Sequence, residues 1–137
     1  MPTISKIVES ALDVDDLARS IAFYEGLFGF PRMVSNDRFC AFAVPGNQVL
    51  LLFLRGGSQH PVDIPGGRIP AHEARGTQHM AFAIAADELE SWSARLAERG
   101  IAIESRVTWA LGGQSLYFRD PDNHLVELAT PGIWEVY

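Results

Sequence analysis

HLVELAT, His124 to Thr130, decides how the chain is read. Side chains of a strand alternate between faces, so Leu125, Glu127 and Ala129 share one side, and Val126 and Leu128 the other. Both sides are otherwise apolar, the pattern of a strand covered on both faces. Yet Glu127 stands in the middle, where an ionised carboxylate costs several kcal/mol, roughly, unless something is paired with it. What Glu127 is paired with is the first functional question the sequence poses.

Composition narrows the answers. A chain of 137 residues, 47% hydrophobic and 20% charged, can bury a real core and has ordinary globular composition. Its net charge is -6 and no basic stripe is present, so duplex nucleic acid and anionic membrane surfaces are not expected partners. Cys40 is the one cysteine; it excludes an internal disulfide framework, and within FCAFAV it reads as a small core residue. The polar start MPTISKIVES is no signal peptide and no apolar run has the length of a membrane span. A soluble cytoplasmic domain is expected.

The order of elements repeats. In the first half a strand from Lys6 to Val14 leads to a helix capped by Asp15 or Asp16. Leu17, Ile21, Tyr24 and Phe28 form its stripe, and Gly29 is its stop. RFCAFAV and QVLLLFLR follow as strands about the turn Pro45–Asn47. The second half has the strand HMAFAIA and a helix with Asp87 as cap, Leu89, Trp92 and Leu96 as stripe and Gly100 as stop. The strands IAIESRV and QSLYFRD come next, then the turn Asp120–Asn123 and HLVELAT. The expected fold is α+β, two βαβββ modules with curved mixed sheets forming a cupped site: residues 1–55, a Gly/Pro-rich connecting loop at 56–76, and residues 77–137, together one domain.

Duplication lets equivalent positions be compared. Alignment on Asn47 and Asn123 sets Leu51 opposite Glu127, and alignment of the first strands sets Glu9 opposite His79. Two residues beyond Glu9, His79 and Glu127 stand Ala11, Ala81 and Ala129, which leave room for a bound group. Two carboxylates close together repel unless a cation lies between them, and one imidazole with two carboxylates suits a divalent metal with open positions. Glu9, His79 and Glu127 are therefore the candidate ligands. Taken singly, each has a structural alternative: Glu127 salt-bridged to an arginine, His79 hydrogen-bonded in the core, Glu9 reaching solvent.

ESALDVDDLARSIAFYEGLFGF, with Asp16, Leu17, Ser20, Phe23, Tyr24 and Phe28-Gly29 in place, resembles the opening of the vicinal oxygen chelate superfamily, which includes glyoxalases, bleomycin-resistance proteins and extradiol dioxygenases. GTQHMAFAI resembles its second ligand strand and LYFRDPDNHLVEL its closing strand. The resemblance covers nearly the whole chain and implies the same metal ligands, Glu9, His79 and Glu127. It departs at Leu51, where glyoxalase I relatives have a fourth ligand, and at Glu9, where extradiol dioxygenases usually have histidine. The implied protein is a metal-dependent enzyme of the lyase, isomerase or dioxygenase kind, working as a homodimer on an oxygen-bearing small molecule. Its cofactor would be a divalent ion of iron, zinc, manganese or nickel, stabilising an enolate or oxyanion. Catalytic candidates are Glu9, Glu127 and, in the loop, His72; His60 and His124 read as surface residues. The aromatics Phe42, Phe53, Trp109 and Tyr117 are pocket candidates. The alternative is a metal-free binding protein of the bleomycin-resistance type that sequesters an aromatic or antibiotic-like ligand.

Overall fold

The computed structural model describes all 137 residues and divides into two compact units, Met1–Gly76 and Thr77–Tyr137. The first contains β1 (Glu9–Val14), α1 (Leu17–Phe28), β2 (Arg32–Ser35), β3 (Phe39–Val44), β4 (Gln48–Leu54), β5 (Val62–Ile64) and β6 (Gly67–Ile69). The second contains β7 (His79–Ala83), a 3-10 turn at Ala86–Glu88, α2 (Leu89–Glu98), β8 (Ser105–Thr108), β9 (Gln114–Arg119) and β10 (Leu125–Ala129). No helix is long and apolar enough to cross a membrane.

Each unit is built on one four-stranded mixed sheet, ordered β1-β4-β3-β2 in the first and β7-β10-β9-β8 in the second. In both, the first strand runs parallel to the last, and the remaining pairs are antiparallel. The helix supplies the crossover that a parallel pair requires. Asp16 starts α1 by accepting from the Arg19 N–H at 3.0 Å, and Gly29 ends it in the left-handed region at φ 70°, which glycine adopts without steric cost. Leu17, Ser20, Tyr24 and Leu27 form the buried stripe of α1. The sheet face behind the helix is Leu12, Val14, Cys40, Phe42, Leu50 and Leu52, all almost without exposure. Burial pushes the Cys40 thiol up from its ordinary pKa, as befits a core residue. In the second unit Leu116, Phe118, Val126 and Leu128 form the equivalent layer, with Leu89 and Leu96 buried on α2.

Register makes the duplication exact residue by residue. Ala11 pairs with Leu51 and Ala81 with Glu127; Ala41 faces Leu51 and Tyr117 faces Glu127. The turns before β4 and β10 match too, with Asn47 at φ 57° and Asn123 at φ 64°, a region asparagine tolerates better than most residues. Asn47 and Asn123 therefore anchor the alignment correctly, and Leu51 and Glu127 are true structural equivalents.

Four sequence expectations need correction. The first strand starts at Glu9 rather than Lys6: β4 begins only at Gln48, and ahead of Glu9 the pairing is reduced to the Val49 N–H donating to Val8 O. The eighth starts at Ser105 rather than Ile101; ahead of it, Glu104 sends its N–H to Tyr117 O and its carboxylate to Arg119. Asp87 does not cap α2: it lies inside the 3-10 turn, and the helix begins at Leu89 with Glu88 at the N-cap position making no side-chain cap. The 56–76 segment holds the β5–β6 hairpin, turning at residues 65–66, and is not structureless.

Candidate metal centre

The pleat places His79, Ala81 and Ala83 of β7, Leu125, Glu127 and Ala129 of β10, and Ser115 and Tyr117 of β9 on the face of the second sheet away from α2. Glu127 is 7% exposed, so its carboxylate is nearly removed from water and every partner counts. Its Oε2 lies 3.2 Å from His79 Nε2, and its Oε1 accepts from Ser115 Oγ at 2.5 Å. The Ser115 hydroxyl in turn accepts from Trp109 Nε1 at 2.8 Å. Tyr117, directly across the ladder, has its phenol held above the ordinary pKa by burial first, then by its hydrogen bond to Glu127 and that group's negative charge. The carboxylate thus meets an imidazole, a hydroxyl and a phenol. The arginine that would have made it an ordinary ion-pair partner is not there.

The tautomer of His79 follows from its other nitrogen. Nδ1 lies 3.0 Å from Leu125 O, and a carbonyl oxygen can only accept, so Nδ1 carries a proton. Nε2 then presents its lone pair to a carboxylate oxygen 3.2 Å away. A divalent cation held by both atoms would remove the repulsion between two acceptors at this separation. Backbone hydrogen bonding at one imidazole nitrogen while the other faces a carboxylate is the arrangement that orients a histidine ligand. The donor set, imidazole nitrogen and carboxylate oxygen, fits a divalent ion. His79 is half exposed, with its side chain at 51%, so the pair is reachable from solvent.

No group of three or more His, Cys, Asp or Glu side chains is assembled. The second unit brings His79 and Glu127 together. Glu9 belongs to the first, where it is exposed at the start of β1 and lines a cavity with Ala11, Leu51, Phe53 and His72. His72 sets its ring edge-on to Phe53, with centroids 4.5 Å apart. Of the aromatic pocket candidates, Phe53 lines that cavity and Tyr117 stands beside Glu127. Trp109 is tethered to Ser115, and Phe42 is a fully buried core residue behind α1. His124, expected at the surface, is 1% exposed: its Nδ1 accepts the Gln78 N–H at 2.9 Å, bracing the start of β7 against β10. Sequence reasoning missed Ser115. Its signal was its place two residues before Tyr117 on a strand antiparallel to β10, diagonal to Glu127 on the same face.

Comparison with known proteins identifies the family. The family model described as Glyoxalase/Bleomycin resistance protein/Dioxygenase superfamily matches residues 6–128. The chain is 31% identical to metallothiol transferase FosB of Lysinibacillus sphaericus, covering 93% of this chain and 84% of that protein. It is 39% identical to fosfomycin resistance protein FosX of Listeria innocua, covering 91% and 89%. Among solved structures, lactoylglutathione lyase from Agrobacterium tumefaciens superposes with a TM-score of 0.88 at 32% identity, over 98% of this chain and 99% of that one. The chain belongs to the Glyoxalase/Bleomycin resistance protein/Dioxygenase superfamily, as one of its enzymes.

Proposed function

We propose that the chain is a metal-dependent enzyme in which Glu9, His79 and Glu127 hold one divalent ion, iron, zinc, manganese or nickel, for an oxygen-bearing small-molecule substrate. The observation that carries this is the His79 Nε2 to Glu127 Oε2 approach of 3.2 Å, with the imidazole proton committed to Leu125 O. Glu9 enters by register: it pairs with Val49 as His79 pairs with Leu125, so it is the first-module counterpart of His79. When bound, such an ion supplies Lewis acidity toward a substrate oxygen. The protein's own residues do the rest. Ser115 and Tyr117 fix the Glu127 carboxylate, Leu125 O fixes the His79 ring, and a carboxylate at Glu9 or the His72 imidazole serves as the base that takes a substrate proton. The enzyme works as a homodimer and in the cytoplasm, whose reducing conditions keep a free thiol such as that of Cys40.

Elemental analysis of protein purified without chelator or histidine tag tests this, beside the His79→Ala, Glu127→Ala and Glu9→Ala variants. About one divalent ion per chain is expected, lost in the first two variants and weakened at least tenfold in the third. Wild-type protein that stays metal-free after reconstitution would overturn the proposal and leave a ligand-sequestering protein instead.

A further inference from the structure

On the Glu9 face of the first sheet lies a cavity of about 670 Å³, within the size range of small-molecule sites. Leu51 and Phe53 of β4 and Phe39 of β3 line it, and the β5–β6 hairpin adds Val62, Ile64 and Ile69. Its aromatic wall is continuous: Phe39 and Phe53 have centroids 5.7 Å apart, and the His72 ring meets the far side of that pair at Phe53. At the other end the Arg38 guanidinium stands 5.7 Å from the centre of the Phe39 ring.

Arg38 differs from five of the ten arginines of the chain. Arg32, Arg55, Arg68, Arg106 and Arg119 each pair with a carboxylate, at Glu25, Asp15, Asp63, Glu90 and Glu104. Arg38 is half-buried at the cavity wall, and no carboxylate of the chain pairs with its guanidinium. Ser58 lines the same cavity, is 2% exposed, and its hydroxyl has no hydrogen-bond partner in the chain. A buried hydroxyl without a partner is destabilising until a ligand satisfies it, and a half-buried guanidinium keeps its planar donor fork for an anion. Cation, donor and apolar wall converge on one space.

We propose that this cavity is a subsite for a carboxylate borne on an aromatic or branched-alkyl body, with Arg38 gripping the carboxylate and Phe39, Phe53 and Leu51 packing the body. It deepens the function proposed above and rests on it in one respect, that the Glu9 face is the substrate face. A carboxylate is favoured over a phosphate because one guanidinium and one hydroxyl in an apolar setting balance a single negative charge, not two. Strand geometry gives the length. Phe53 pairs with Asp13, four residues along β1 from Glu9, so the aromatic end and the Glu9 end are roughly 13 Å apart. The ligand is therefore elongated, with its reacting oxygens toward Glu9 and its carboxylate at the Arg38 end.

Titration calorimetry on the full chain tests this, with 4-phenylbutyrate and the uncharged 4-phenylbutanol as probes. The acid should bind wild-type protein at least about tenfold more tightly than the alcohol, and Arg38→Ala should abolish that preference while leaving alcohol binding unchanged. Phe53→Leu should weaken both probes. Should Arg38→Ala fail to fold, Arg38→Gln keeps the stem that packs against Gly57 and takes its place. No saturable binding of the acid, equal binding of the two probes, or acid binding indifferent to Arg38 overturns the proposal. The same titration on His79→Ala separates the two ideas. Metal lost with the acid preference intact is expected. Wild-type protein without metal but with an Arg38-dependent preference sinks the metal centre and spares the subsite, while metal present without that preference does the reverse.

Discussion

Phe39, Ala41, Leu51 and Phe53 in the first sheet occupy the register positions that Ser115, Tyr117, Glu127 and Ala129 occupy in the second. On the opposite face, Cys40, Phe42, Leu50 and Leu52 answer to Leu116, Phe118, Val126 and Leu128, apolar for apolar. One face of each sheet is thus held to the same chemistry and the other has diverged, from an aromatic cavity in the first module to a polar cluster around a carboxylate in the second. The physical reason is register. A one-residue slip would turn the whole buried set outward, so the helix-facing side fixes the pairing, and the other side can change without moving the backbone. A duplicated scaffold can in this way carry an apolar cavity and a histidine–carboxylate pair at equivalent points.

The largest expected effect tests the shared half of the comparison. Phe42 and Phe118 are equivalent and both fully buried. Phe42→Ala and Phe118→Ala should each cost about 3–5 kcal/mol in urea unfolding, within about 1 kcal/mol of one another. A large cost for one and a small cost for the other would show that the two cores are not equivalent in energy, whatever their register.

Exchanging the diverged residues tests the other half. Leu51→Glu puts a carboxylate among the apolar side chains Phe39, Phe53 and Ala11 and should cost about 2 kcal/mol. Glu127→Leu, measured on metal-free protein, should cost less than about 1 kcal/mol, since it removes a desolvated charge together with the loss of its Ser115 and His79 contacts. Metal content should vanish in Glu127→Leu and persist in Leu51→Glu. A Glu127→Leu protein destabilised by several kcal/mol would mark the carboxylate as a structural group in its own right.

The face-by-face equivalence was legible in the sequence because it rests on local signals: period-two apolarity, turn asparagines and glycine helix stops. Aligning Asn47 with Asn123 was enough to set Leu51 against Glu127, and small residues beside the candidate ligands marked the open face. What could not be read were contacts set by pairing between strands. Ser115 and the Trp109 hydrogen bond behind it depend on which residue of β9 lies diagonal to Glu127, and the antiparallel register decides that. His124 misled because a histidine after the DPDN turn looks solvated. It is buried where the chain just ahead of β7 delivers the Gln78 N–H from 46 residues away in sequence. The hairpin inside 56–76 was hidden because its strands are three residues each, too short to show alternation. Nothing in the sequence marks Arg38, since the absence of a paired carboxylate is a fact of three dimensions.

The smallest effect concerns the helix starts, where sequence reading and structure diverge between the modules. Asp16 accepts the Arg19 N–H at 3.0 Å, satisfying one of the otherwise unpaired donors of the first turn of α1. Asp87 stands at what looks like the same place before α2, but the chain makes a 3-10 turn through Ala86–Glu88 first, and the helix begins without a side-chain cap. Asp16→Ala should therefore cost about 1 kcal/mol and Asp87→Ala only a few tenths, chiefly from lost charge near the helix N-terminus. Equal costs in thermal unfolding would mean that Asp87 caps α2 in solution. The two modules would then be more alike at their helix starts than the geometry of the 3-10 turn allows.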